Sequence, residues 1–440
     1  MKRNLTNIKE QSLKQRFTID VVVFFDDSRK EYFRFTPEMI NFHLTFTLNK
    51  LAYGSFLWND IDGSFFNKFI LSGGEFISIS MSTKNTKDGI EETYKDEFVF
   101  YGYKIIDKKD IKLDANKNRF EIYFCSPAQL KSNQTTIRRG WLGNKRQSDI
   151  VEDIMKTELG IDPKKITIIP TKSKRENFIS PNLHPKELID ELKKESEGEL
   201  SDFYVFFQNR KGYSFIPFSE IMKQEPVIAI ERSKGGQKSD VFLTKIEKED
   251  SLTGIDVLRS LKSGELGSTH AYFDRKSKKM KKFETKLDKK RLDSVYTTGK
   301  YGIYNTELIL KDAPNSFYDI ISYSPDLVNE FRYDIYSNMF KNNIFEFTMA
   351  GNLMLDVGDV FFMPIQLNGE EYNNALTGNW SVMEIDFRWS ATSETKQMGV
   401  TSCVCEYKVV KTSYESFMND TFNKESLLKT KKNINVLTEN

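Results

Sequence analysis

The sequence predicts an α+β fold that is mainly β, with two antiparallel sheet regions flanking a small α/β domain. Three observations predict it. Apolar residues recur with period two from Phe17 to about Leu130, the spacing turns helical near residue 147, and period two returns between Ile344 and Val410. The composition agrees: 35 Phe and 19 Tyr bring the aromatic share to 13%, and aromatic side chains fit the pleated surface of strands.

In the first region Phe17, Ile19, Val21, Val23 and Phe25 share one face of a strand, with Thr18 and Asp20 opposite. The next strand alternates Ile40, Phe42, Leu44, Phe46 and Leu48 with Asn41, His43, Thr45, Thr47 and Asn49. Such alternation means one buried and one wet or partner-facing face. Further strands are expected at 75–82, after the Gly73–Gly74 turn, at 97–106 and at 119–125. Turn signals between them indicate a sandwich or barrel rather than a βαβ unit.

Ile150, Val151, Ile154, Met155 and Leu159 form a helical stripe, with Ser148 or Asp149 as N-cap and Gly160 as terminator. A second helix starts at Pro185, where a missing N–H costs nothing. Its stripe is Leu188, Ile189 and Leu192, and Gly198 closes it. A hairpin of 203–208 and 213–217 follows, and the Gly235–Gly236 linker ends the domain.

Strands resume at 241–248. Past a helical stretch at 324–341, Phe345, Phe347 and Met349 alternate with Glu346, Thr348 and Ala350. Gly351–Asn352 turns the chain, Leu353 and Leu355 continue it, and Gly358–Asp359 turns it again into 360–365; strands 380–389 and 400–410 complete the meander. The echo of the first region indicates duplication at fold level without a sequence repeat. Between them 275–291 holds ten basic residues against Glu284 and Asp288. That run is either a solvated strand pair or a surface facing phosphates, and Phe283 alone gives little for base stacking. The segment 412–440 is either an amphipathic docking segment or a frayed tail.

Charge excludes a global pull on nucleic acid or membrane, because 65 basic and 63 acidic side chains leave +2. Three cysteines exclude a disulfide-stapled scaffold, and neither a signal peptide nor an apolar run of membrane-spanning length is evident. A soluble multidomain protein made in the cytosol is expected. His43, His184 and His270 lie in three segments without ligand spacing. Cys403 and Cys405 sit on one face of a strand, where disulfide geometry is poor. Asp60-Ile61-Asp62-Gly63 lacks the closing Glu of a calcium loop, and no phosphate loop is present. No catalytic residue, metal site or cofactor is therefore expected.

Five segments, in order, carry a resemblance: FYGYKIID (100–107), GWLGNKRQSDIVEDIM (140–155), the helix-plus-hairpin stretch 183–221, GELGSTHAYFDRKSKK (264–279), and MAGNLMLDVGDVFFM (349–363) with LTGNWSVMEIDFRW (376–389). Together they resemble the central baseplate hub proteins of contractile-tailed phages, which are related to the hub part of VgrG spike proteins. The resemblance spans about Phe17 to Val410. It implies two tail-tube-like antiparallel β-barrel domains with a small α/β domain between them: an N-terminal arm (1–16), a first barrel (17–130), the α/β domain (131–239), a second barrel (240–411) with a basic and helical insertion (275–342), and a C-terminal tail (412–440).

It further implies a homotrimer whose six alike domains form a pseudo-sixfold ring. Such a ring adapts a sixfold tail tube to a threefold central spike and lines a DNA channel. The implied partners are the chain itself, a tail spike protein, a tail tube or tube-initiator protein, other baseplate proteins, and DNA in transient non-specific contact, without stable membrane insertion. The implied location is the virion tail. Gly351, Asn352, Gly358, Asp359 and Gly378 are read as structural turn residues, and Lys278, Lys279, Lys281 and Lys282 as contacts to the lumen or an acidic partner. The sequence departs from VgrG proteins in showing no spike or lysozyme-like module after the hub part, so these are expected on separate chains. The alternatives are a β-rich tail-fibre or carbohydrate-binding adhesin module and a cell-wall hydrolase.

Overall fold

The computed structural model describes residues 16–25, 30–36, 39–60, 65, 69, 71, 73–87, 90–107, 118–172, 174–175, 177–198, 203–228, 230–231, 244–246, 248–253, 268–274, 279–285, 308–311, 333, 344–363, 366–367, 371–372, 377–390 and 402–411. The expected N-terminal arm up to residue 15, the Gly235–Gly236 linker, nearly all of the 324–341 stretch and the C-terminal tail lie outside the described residues.

The chain is mainly β, and its largest unit is one twelve-stranded sheet. The first region contributes Arg16–Phe24, Tyr32–Arg34, Met39–Thr47, Tyr53–Asp60, Phe76–Lys87, Ile90–Asp107 and Asn118–Cys125. The second contributes Lys248–Thr253, Ile344–Ala350, Val360–Met363, Gly378–Ser390 and Ser402–Lys411. Every pairing within it is antiparallel. Among the described residues neither region closes on itself as a barrel. The two regions instead join edge to edge, through Met39–Thr47 and Gly378–Ser390.

The expected alternation holds where both faces are settled. Phe42, Leu44, Phe46, Phe345, Phe347, Met349, Ile385 and Phe387 are buried in one core that also takes in Ile19, Val21, Ile77 and Ile79. Phe387 packs 6.3 Å from both Phe17 and Phe46, so aromatic contacts cross the join.

Several elements differ from expectation. Tyr53–Asp60 is a central strand that the sequence reading omits, and the pair 76–87 and 90–107 runs well beyond its expected ends. Leu353 and Leu355 do not continue a strand; residues 351–359 form a loop that buries both side chains. Of the expected strand 241–248, Thr244–Lys245 is strand and residue 248 opens the strand Lys248–Thr253, while 241–243 and 247 lie outside the described residues.

The α/β part holds the expected helices at Gln147–Thr157 and Pro185–Glu195, plus an unanticipated one at Pro127–Gln134. The first starts earlier than expected: its N-cap is Arg146, and Asp149 serves from the third position by accepting the Arg146 amide at 3.2 Å. Gly160 sits at φ +61 beyond it. The second ends at Glu195, before Gly198. The hairpin of Tyr204–Asn209 and Gly212–Pro217 is buried on both faces. Tyr204 and Phe206 pack against the helices, whereas Val205 and Phe207 enter the core of the large sheet. Such a continuous apolar run is what a doubly covered strand requires.

Candidate functional site

The strand Gly378–Ser390 changes partner along one edge. Its first residues pair with Val360–Met363, and from Glu384 onward it pairs with Met39–Thr47. A bulge between Val382 and Glu384 marks the switch, and there the Met383 carbonyl accepts the Leu48 amide at 2.8 Å. A bulge bends the strand and re-aims its side chains, so the polar faces of both regions become one surface.

That surface carries a chain of cross-strand contacts. Ser251 donates to Glu346 at 3.0 Å, and Lys408 pairs with Glu346 at 3.0 Å. Arg388 bridges Glu406 and Asp386, each at 2.7 Å. Asp386, only 5% exposed, also accepts Thr45 Oγ1 at 3.1 Å and lies 3.0 Å from His43 Nε2. Farther along, Thr47 donates to Glu384 and Ser55 to Glu121, each at 3.0 Å. The Lys408 hydrogen bond pulls the Glu346 carboxyl below its usual range. Partial burial pushes Glu406 up, against the opposing pull of Arg388.

A trough of about 1030 Å³ opens on this surface, lined by Asn41, His43, Tyr53, Ser55, Tyr103, Arg119, Glu121, Tyr123 and Arg388 among others. The Tyr103 and Tyr123 rings lie 6.3 Å apart, and Lys104 Nζ stands 5.5 Å from the Tyr123 ring. Arg388 and Lys408 pair across strands with Glu406 and Glu346, whereas Glu384 and Glu121 take hydroxyl donors. The arrangement therefore offers a polar, mixed-charge wall with aromatic plates.

A second constellation holds the three parts of the fold together. Arg210, in the tight turn of the buried hairpin, has a side chain only 2% exposed. Its guanidinium reaches Asp96 of the first region at 2.5 Å and the carbonyls of Leu353 and Leu355 of the second at 2.9 Å each. Its backbone N–H donates to Asp356 Oδ2 at 3.0 Å. Burial opposes the Arg210 charge, but Asp356 and Asp96 more than offset it and raise its pKa. Burial pushes the Asp356 carboxyl up as well.

Two of the turn residues singled out in the sequence, Asn352 and Asp359, bond within the loop that cradles Arg210. Asn352 Oδ1 accepts the Met354 amide at 3.2 Å, and Asp359 Oδ2 accepts the Asp356 amide at 2.9 Å. Gly358 has φ +86, and an added Cβ there would lie 3.0 Å from the Phe207 ring. Gly351 has no positive φ; a Cβ would meet Cys403 at 2.8 Å, so close approach demands the glycine. Gly378 starts the partner-switching strand at φ +146. Nothing in a solvent-type turn sequence announces Arg210 as buried. The signal was the buried-on-both-sides hairpin beside it.

The lysines of the basic run stand elsewhere. Lys279 is exposed and starts the strand Lys279–Thr285, which pairs with Ser268–Asp274 in a separate three-stranded sheet. Lys281 is opposite Tyr272 and Lys282 opposite Ala271, while Lys278 lies outside the described residues. His184 is the N-cap of Pro185–Glu195, and His270 stands opposite Phe283 in that separate sheet. Among the described residues no cluster of three His, Cys, Asp or Glu could hold a metal ion, and no helix is long and apolar enough to cross a membrane.

The sequence matches no family model and no curated protein sequence. Solved structures do match. The 43 kDa tail protein of prophage MuSo2 from Shewanella oneidensis aligns with a TM-score of 0.55 at 10% identity, covering 90% of this chain and 99% of that one. The tail protein from Neisseria meningitidis MC58 aligns at 0.53 and 10% identity, covering 91% and 98%. The chain has the fold of phage tail proteins. A chain of the lidded Francisella PdpA–VgrG complex aligns at 0.50 and 12% identity, over 94% of this chain and 55% of that one. These matches cover nine tenths or more of this chain.

Proposed function

We propose that the chain is a structural baseplate hub of a phage tail. Three copies form a pseudo-sixfold ring that adapts a sixfold tail tube to a threefold central spike and lines the DNA channel. In this reading residues 17–130 and 240–411 are the two tube-like units of each subunit, and 131–239 buttress them. The observation that carries it is the switch of Gly378–Ser390 from Val360–Met363 to Met39–Thr47. That switch sets two sheet regions side by side in one subunit, which threefold symmetry then multiplies to six. The mixed-charge wall suits a channel, because paired cations and anions give a polyanion little net counterion-release gain and let it slide. The partners are further copies, spike, tube and other baseplate proteins, and the location is the virion tail.

Light scattering behind a sizing column tests the ring: a mass near three times 51.3 kDa is expected. A monomer at every concentration, with and without a spike protein, overturns it. In the same ring Lys278, Lys279, Lys281 and Lys282 face the lumen or an acidic partner. Charge reversal at all four that leaves assembly and DNA passage intact overturns that placement.

The trough favours a second reading. Tyr53, Tyr103 and Tyr123 on one concave wall, with Arg119, Glu121 and Asn41 beside them, are the groups that stack on and hydrogen-bond sugars. A carbohydrate-binding module would show saturable glycan binding abolished by Tyr103→Ala, and the absence of any glycan bound on an array removes it.

A further inference from the structure

The α/β part carries an exposed apolar tip on a rigid base. Gly140–Trp141 pairs with Phe178–Ile179, and Lys145–Arg146 pairs with Lys174–Arg175. Trp141 and Phe178 stack at 5.6 Å, and Phe178 enters the helix core. The alternate position is outward: Ile179, opposite Gly140, is 51% exposed, and Leu142 is 77% exposed. The turn that holds Leu142 is ordered. Gly143 takes φ +78, its amide donates to Asn177 Oδ1 at 3.2 Å, and its carbonyl accepts the Lys145 amide at 2.8 Å. Asp153 anchors the base by accepting Trp141 Nε1 at 2.7 Å and Arg139 at 2.6 Å.

Exposed cations flank the tip, beside one exposed carboxylate, Asp149, which accepts the Arg146 amide. Lys145, Arg146 and Lys174 are exposed, and no carboxylate pairs with any of them among the described residues. Arg138 is exposed beside them, held to Asn182 at 2.9 Å. The backbone that carries the two exposed apolar side chains is held by these bonds, which lowers the ordering cost of a binding anchor.

We propose that this tip, Leu142 and Ile179 rimmed by Lys145, Arg146 and Lys174, docks an acidic polypeptide segment bearing a large apolar side chain. The charge selects the sign of the partner and the apolar pair selects its class. A second copy meeting the same patch would set cations against cations. Nucleic acid would satisfy the cations but leave Leu142 and Ile179 against phosphates. The surface is separate from the trough, and its test does not depend on trimerisation.

The test is fluorescence anisotropy of the full chain with a short labelled peptide of Glu and Asp around a central Leu-Phe pair. Saturable binding is expected below about 1 mM. It should weaken about tenfold or more in Leu142→Asp/Ile179→Asp, in Lys145→Glu/Arg146→Glu/Lys174→Glu, and when Ser replaces the peptide's apolar pair. Leu142→Ser alone, with an unchanged melting curve, guards against a folding defect. The proposal is overturned by absence of binding, by unchanged affinity in folded variants, or by equal binding of the Ser peptide or a short DNA duplex. Preferential binding to phosphatidylglycerol vesicles overturns it too, and points to a membrane surface.

Discussion

Leu48 donates its amide to the carbonyl of Met383 over 2.8 Å, at the point where Gly378–Ser390 leaves Val360–Met363 and takes up Met39–Thr47. One strand thereby belongs to both sheet regions. The consequence is mechanical: a load on either region reaches the other through backbone ladder bonds and a shared core rather than a flexible linker.

The polar side of the join is set by Asp386, which gathers Thr45, His43 and Arg388. Asp386→Asn keeps the shape and removes the charge. Because Arg388 is 52% exposed and screened, the expected loss is about 1–3 kcal/mol. Urea unfolding measures it. A midpoint equal to that of the parent would mean that the register rests on the apolar face alone.

Arg210 is a stronger case. Its guanidinium is almost fully buried and bonded to Asp96 and two carbonyls, with Asp356 beside it. Arg210→Met leaves these acceptors without their donor and should cost about 3–5 kcal/mol. Arg210→Lys should recover little, since an ammonium cannot span the same fork. A loss under about 1 kcal/mol in urea for the methionine variant would show the junction to be held by packing alone.

How much of this was legible depends on how local each signal is. The alternation of Phe42, Leu44 and Phe46 and the stripe Ile150, Val151 and Ile154 are local, and both elements were found where expected. Tyr53–Asp60 was hidden by Gly54, which reads as a breaker. In the fold it is a necessity, because a Cβ there would collide with the His43 carbonyl. The join left no mark: His43 opposite Arg388 and Thr45 opposite Asp386 are ordinary residues until the register brings them together. Arg210 gave no signal of its own, since Asn209–Gly212 reads as a solvated hairpin turn; only the continuous apolar run beside it pointed inward. Resemblance supplied the tail-protein fold, whereas periodicity alone stopped at sandwich or barrel.

The thiols offer a direct check on burial. Cys125, Cys403 and Cys405 are all buried and unbridged. Burial pushes Cys125 up to about 11, and burial with Cys405 alongside pushes Cys403 up as well. The thiolate is the reacting species, so a chromogenic disulfide reagent at about pH 8 should find no reactive thiol in the native chain. All three should react in guanidinium chloride. A fast-reacting native thiol would place at least one of these strands at an open edge.

Lys411 ends the last strand of the sheet, and burial pulls its ammonium down to about 8. The unfolded chain titrates this group near the ordinary lysine value of about 10.4. Between those two values the unfolded state holds more protons, so the contribution to stability rises with pH through that window. Below the folded value the native state carries a buried charge and bears the full penalty. Two units correspond to about 3 kcal/mol, and Lys411 is only 4% exposed, so solvent screening takes little from it. Lys411→Met should therefore raise stability at neutral pH by that amount and remove the rise between about pH 8 and 10. Buried tyrosines such as Tyr407, pushed up by burial, act in the opposite sense at the alkaline end. The quantity to follow is thus the difference between variant and parent in urea midpoints across the series. A difference that stays constant with pH would mean that Lys411 keeps an ordinary pKa in the folded chain.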